Sequence, residues 1–174
     1  EGFALKYFYD LGWNVKGIDY SEAGLKQQNP EMLENVDVGD IYKFLSKYRK
    51  NKKKYDVIWL NNVLEHVLDP ISLLNDLKNL ISREGVLVVT VPNDSSDLQE
   101  YCFKNDLIPD RFWIALPDHM SYFSYDSLQS LAKHTGWECR DIIADFPIDL
   151  YLLHSGSNYI ADKSCGPDAH RARI

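Results

Sequence analysis

Apolar residues along this chain switch repeatedly between helical and strand spacing. Phe3, Ala4, Leu5, Phe8 and Leu11 recur at helical spacing and Gly12 supplies a C-terminal stop, so the chain opens on a helix, followed by a short strand over 14–19. Ser21 can cap a second helix to about residue 28, and an indistinct strand near Val36 leads through Gly39 and Asp40 into a helix over 41–48. The next strand is expected over 56–60. Asp69-Pro70 pairs an N-cap with a proline at the first helical position; Leu73, Leu74, Leu77, Leu80 and Ile81 then mark one buried face, closed by Gly85. The continuous β-branched and aliphatic run over 86–91 has the composition of a strand covered on both faces, which puts it at a sheet centre.

Beyond Pro92-Asn93 the order changes. A helix is expected over 96–105, then an aromatic-rich loop with Trp113, Pro117, His119, Tyr122 and Phe123, suited to shape a pocket. Ser124 caps a helix carrying Leu128, Leu131 and Ala132 that Gly136 stops, and residues 137–146 read as a strand. From Pro147 the signal weakens: Tyr151, Leu152 and Leu153 can continue a helix, 155–168 is rich in turn formers, and 170–174 reads as a frayed end. Alternating helix and strand patterns specify an α/β protein.

At 174 residues and 45% hydrophobic the chain suits one domain with a real core. Lys and Arg number 19 against 26 Asp and Glu, and a net charge of −7 opposes attraction to nucleic-acid phosphates. The basic cluster of Lys47, Arg49, Lys50, Lys52, Lys53 and Lys54 therefore reads as a solvated loop between a helix and a strand. No apolar stretch approaches the roughly 20 residues that span a bilayer, so no membrane partner is expected. Cys102, Cys139 and Cys165 are odd in number and far apart, which suggests neither a disulfide framework nor a zinc clip and makes a reducing cytoplasm the expected compartment.

In open α/β sheets ligands collect beyond the carboxyl ends of the strands. Three such places carry polar chemistry. Gly2 opens the first helix, where a glycine admits close backbone approach and free N–H groups face outward, and Asp19 ends the next strand, where a carboxylate can take both hydroxyls of a ribose. Asp19 can equally serve the first turn of the following helix. Asp40 can receive the exocyclic amine of adenine while Ile41 packs on the ring, or act as a plain N-cap. Directly after the third strand, Asn61, Asn62, Glu65 and His66 make an unusual density of polar groups. Glu65 can also cap a neighbouring helix there, and His66 can be a hydrogen-bonded support.

These blocks, in this order, resemble the class I S-adenosylmethionine-dependent methyltransferases, in particular the small-molecule group that includes the ubiquinone-biosynthesis O-methyltransferases. Glu1-Gly2-Phe3-Ala4-Leu5 is similar to the tail of that family's glycine loop, Gly17-Ile18-Asp19-Tyr20-Ser21 to its second motif, and Gly39-Asp40-Ile41 to its adenine turn. The stretch from Tyr55 to Pro70 is the most specific block; Gly85 to Asn93 and His119 to Gly136-Trp137 complete the match. The resemblance implies a Rossmann-like α/β fold, a mixed sheet of order 3-2-1-4-5-7-6 whose first, central strand is missing from this chain. It implies a methyltransferase domain over 1–146 as an N-terminally truncated piece, with a partly irregular C-terminal extension over 147–174.

The same resemblance implies S-adenosyl-L-methionine as cofactor, held by Gly2, Asp19, Tyr20, Asp40, Ile41, Asn61 and Asn62. A small-molecule methyl acceptor is expected, a glycan precursor or a quinone-like hydroxyl, beside His66 and His119 as the catalytic pair; an unperturbed histidine titrates near pH 6.5 and can take a proton. Some ubiquinone-type relatives carry Glu-x-x-Glu-His with a divalent metal. This chain has Asn62 at the first of those positions, one carboxylate short, so no metal is expected. Two other readings compete: a truncated or inactive methyltransferase that acts as a binding domain, and an NAD-dependent Rossmann oxidoreductase.

Overall fold

The computed structural model describes residues 1–172 and divides into two compact units, Glu1–Ile58 with Asn75–Val86, and Trp59–Leu74 with the chain from Leu87 onward. In the first unit, α1 (Phe3–Asp10) leads to β1 (Gly17–Asp19), α2 (Ala23–Gln28), a 3-10 helix (Pro30–Asn35), β2 (Val36–Val38) and α3 (Ile41–Lys50). β1 and β2 pair in parallel with Asp19 opposite Val38, a register that sets the acids Asp19 and Asp40 at the same carboxyl end. Leu25, Met32, Leu45 and Tyr48 are buried beneath this layer. Lys16 lies 2.9 Å from Asp37, whose carboxylate also accepts the hydroxyl of Tyr48. β1 is shorter than the expected 14–19, and α2 starts two residues past Ser21, whose hydroxyl accepts the Ala23 N–H at 3.1 Å.

β3 (Tyr55–Asn61), α4 (Pro70–Lys78) and β4 (Ile81–Thr90) follow. Tyr55 N–H donates to the Leu80 carbonyl and Asn62 N–H to the Thr90 carbonyl, both at 2.9 Å, so the two strands run parallel. Among the described residues β1–β2 and β3–β4 form two separate two-stranded sheets, and the expected seven-strand order is not seen. At the start of α4, the Asp69 carboxylate accepts the Ser72 N–H at 2.9 Å, the cap its sequence calls for.

Three expectations for this region are corrected. α4 ends at Lys78, and Ile81 and Gly85 lie inside β4, because the apolar pattern runs unbroken through the turn at Asn79-Leu80. β4 is not covered on both faces: Val86 is 47% and Val88 37% exposed, while Leu87 and Val89 turn inward, the alternation of a half-buried strand. Residues 137–146 form no strand; Glu138 to Phe146 are exposed, and alternating side chains without an adjacent strand leave backbone groups to water rather than to a ladder.

The second unit carries α5 (Asp97–Lys104), α6 (Tyr125–His134), a 3-10 helix (Ile148–Leu153) and α7 (Gly166–Ala172). Ser96 and Ser124 each close a reciprocal capping box, Ser124 in the capping role expected of it. Cys102, Ile108, Trp113 and Leu152 build the core, joined by Phe103, Phe112 and Tyr159. Asn158, 4% exposed, donates to the Leu107 carbonyl at 2.6 Å and the Leu152 carbonyl at 3.1 Å and accepts from Ile160 and Ala161. The residues expected to be turn-rich and frayed are thus partly helical, with His170 inside α7; Arg173 and Ile174 lie outside the described residues.

Candidate active site

In the first unit, Gly2 caps α1 with φ 80°, a left-handed conformation that disfavours any residue with a Cβ; one added here would stand 2.3 Å from Leu25 Cδ1. No side chain caps the helix, and Gly2 and Leu5 line a cleft together with Glu1, Gly17, Ile18, Asp19, Leu25 and Val36. The structure therefore brings Gly2 and Asp19 together. One Asp19 oxygen accepts the Ser21 N–H at 3.0 Å, which is the turn role its position also allowed, and its backbone carbonyl accepts from Gly39 at 2.8 Å. Tyr20, 72% exposed, follows at the strand end. The enclosed volume, about 130 Å³, is below the roughly 300 Å³ at which small-molecule pockets begin, so the cleft encloses only part of a nucleoside-sized ligand.

Asp40 takes the N-cap role: its carboxylate accepts the Tyr42 N–H at 2.9 Å, and Ile41 beside it is half-buried. In the second unit, Asn61 ends β3 and Asn62 adopts φ 51°; both are exposed.

The second cluster forms around the turn after β3. His66 and His119 meet with ring centroids 4.9 Å apart at 77°. Two bonds hold the segments together, since the Glu65 carbonyl accepts the N–H groups of both Met120 (2.7 Å) and Ser121 (3.1 Å). His66 Nδ1 lies 2.8 Å from the Asp118 carbonyl. A carbonyl only accepts, so Nδ1 carries a proton, and in the neutral ring Nε2 is the acceptor. That Nε2 is 3.8 Å from Glu65 Oε1.

Glu65 is only 1% exposed, and its Oε2 has no hydrogen-bond partner; the buried Nδ1 of His119 has none either. Asp94, also buried, anchors the neighbouring loop by accepting the Phe123 N–H at 3.1 Å and donating its own N–H to the Phe123 carbonyl at 2.7 Å. Burial pushes the Asp94 carboxyl up, and the Glu65 charge adds to this, against the opposite pull of the Phe123 N–H and of His119.

Glu65 and Asp94 were not among the expected site residues. Glu65 sat in the polar block, where a capping role accounted for it, and only its burial distinguishes it. Asp94 follows the Pro92-Asn93 strand end, a position where ligand-facing or loop-anchoring acids are common, and that was the available signal.

A family model described as a methyltransferase domain matches residues 1–142. Among solved structures the chain is similar to an S-adenosylmethionine-dependent methyltransferase from Archaeoglobus fulgidus, with a TM-score of 0.59 at 18% identity over 98% of this chain and 72% of that one, a likeness of fold.

Proposed function

The chain belongs to this methyltransferase-domain family, and we propose that it transfers the methyl group of S-adenosyl-L-methionine to a hydroxyl of a small-molecule acceptor, in the manner of the ubiquinone-type O-methyltransferases it resembles. The observation that carries the reading is the convergence of Gly2, the open N-terminus of α1 and Asp19 on one cleft. The cofactor supplies an already activated methyl on a sulfonium. What remains for the protein is to bind, align and remove one proton. Asp19 accepts hydrogen bonds from the ribose hydroxyls through the oxygen not engaged by Ser21; the α1 N–H groups and Gly2 receive the polar methionine end; Tyr20, Asp40 and Ile41 flank the base. Asn61 and Asn62 contribute exposed amides.

On the acceptor side, the cluster of Glu65, His66 and His119 holds the hydroxyl, and an imidazole nitrogen receives its proton as the oxygen takes the methyl. His66 suits this because its Nδ1–H bond to Asp118 leaves Nε2 free to accept. In the family order proposed here, β1 and β2 are strands two and three, and β3 and β4 are strands four and five. Parallel titrations with S-adenosylhomocysteine and NADH test the cofactor assignment: binding of the first alone supports it, and preference for NADH replaces it with the oxidoreductase reading.

A further inference from the structure

We propose that the groove between α6 and the chain that follows it binds a small planar molecule carrying a phosphate group, with a mononucleotide as the type. The groove lies within the second unit and opens to solvent, and its volume of about 480 Å³ falls inside the roughly 300–1,000 Å³ of small-molecule sites. Its chemistry is carried by Tyr125, Gln129, Ser130 and Lys133 of α6 and by Trp137 and Arg140 beyond it.

The way α6 ends fixes the walls. Gly136 takes φ 68°, and the N–H groups of Gly136 and Trp137 close back on the carbonyls of Lys133 (3.0 Å) and Ala132 (2.8 Å), the Schellman pattern of a helix C-terminus. Trp137 is half-buried, and its indole N–H donates to the Leu74 carbonyl at 3.2 Å. The polar atom of that ring is thus already engaged, and what the ring can offer the groove is a flat apolar face, fit for stacking. On the helical wall Tyr125, Gln129 and Lys133 follow at intervals of four residues and so share one face.

Charge decides what the groove takes. Among the described residues Arg49, Arg83, Arg111 and Arg171 are each ion-paired within the chain, and Arg140 is not, although Glu138 and Asp141 flank it in sequence. Lys133 has no ion pair among the described residues either. In a chain of net charge −7, two cations that line one groove without an internal carboxylate remain available to an anion from outside. A guanidinium grips two phosphate oxygens as a fork, an ammonium adds a point charge, and the Ser130 hydroxyl and Gln129 amide can donate to the oxygens left. A phosphate dianion matches both cations; a single carboxylate leaves one of them uncompensated.

The Gly2–Asp19 cleft belongs to the first unit and shares no residue with this groove, so the site goes beyond the methyl-transfer reading. The test is calorimetric titration of uridine 5′-monophosphate into the full chain, with uridine and inorganic phosphate as separate probes. One nucleotide per chain is expected, each smaller probe binding at least about 10-fold more weakly because ring and phosphate both contribute. Arg140→Ala and Lys133→Ala, both at exposed positions, should each weaken nucleotide binding about 10- to 100-fold with the circular dichroism unchanged. Lys163→Ala removes an exposed cation outside the groove and should bind as the parent does. The indole N–H resonance of Trp137, assigned by its loss in Trp137→Phe, should shift during the titration. No nucleotide binding, parent affinity in Arg140→Ala, or inorganic phosphate bound as tightly as the nucleotide overturns the proposal. Saturating S-adenosylhomocysteine should leave the nucleotide affinity unchanged; displacement would assign the nucleotide to the Gly2–Asp19 cleft and likewise overturn the groove.

Discussion

His66 and His119 meet edge to face at 4.9 Å, although one follows β3 and the other lies in the loop before α6. The contact depends on the Glu65 carbonyl, which accepts from Met120 and Ser121, and on Asp94, which ties down Phe123.

Asp94→Ala removes the acceptor for a buried N–H and should destabilise the protein by about 1–3 kcal/mol in urea denaturation. It should also shift the ring resonances of His119 in NMR spectra. Unchanged stability together with unchanged histidine resonances contradicts the role assigned to Asp94.

How much of this was legible in sequence varies with the range of the interaction that decides each element. Asp69 and Ser124 announce helices because a cap acts within three residues, and both cap as expected; Asp40 caps α3, one of the two roles open to it, and Ser96 caps the helix expected from its position. The stop of α4 was misplaced because Leu80, only 1% exposed, extends the helical apolar period into a turn. The stretch 137–146 reads as a strand by alternation, yet a strand needs a partner that local sequence does not provide. In the cleft beside α1, Gly2 and Asp19 stand out by position relative to α1 and β1. The approach of His119 to Glu65 is tertiary and leaves no local trace.

Asp37 gives the stability a defined pH dependence. Burial pushes its carboxyl up, but hydrogen bonds from Tyr48 and Lys16 outweigh this and hold it below the usual range. A depressed folded value means the stabilisation is complete above the unfolded value of about 4 and is lost as pH falls through the folded one. Tyr48→Phe should lower stability at pH 7 by about 1–2 kcal/mol and flatten the dependence below pH 4, read from urea midpoints across pH. An identical pH profile in the variant contradicts this assignment.

Asn158 fastens the last quarter of the chain. Its amide satisfies two carbonyls and two N–H groups in a buried position, so Asn158→Ala should cost about 2–4 kcal/mol. Hydrogen exchange should show lost protection at Ile160 and Ala161. Retained protection at both amides would assign the anchoring to other contacts, such as Tyr159 to Asp149.

The central claim is that the Gly2–Asp19 cleft binds the cofactor of a methyl transfer, and calorimetric titration of S-adenosylhomocysteine into the parent and Asp19→Ala proteins tests it most directly. Losing charge-assisted bonds to the ribose should weaken binding by about 1.5–3 kcal/mol, roughly 10- to 150-fold, with the fold unchanged by circular dichroism. Equal affinity in the two proteins, or no binding by the folded parent, would contradict it.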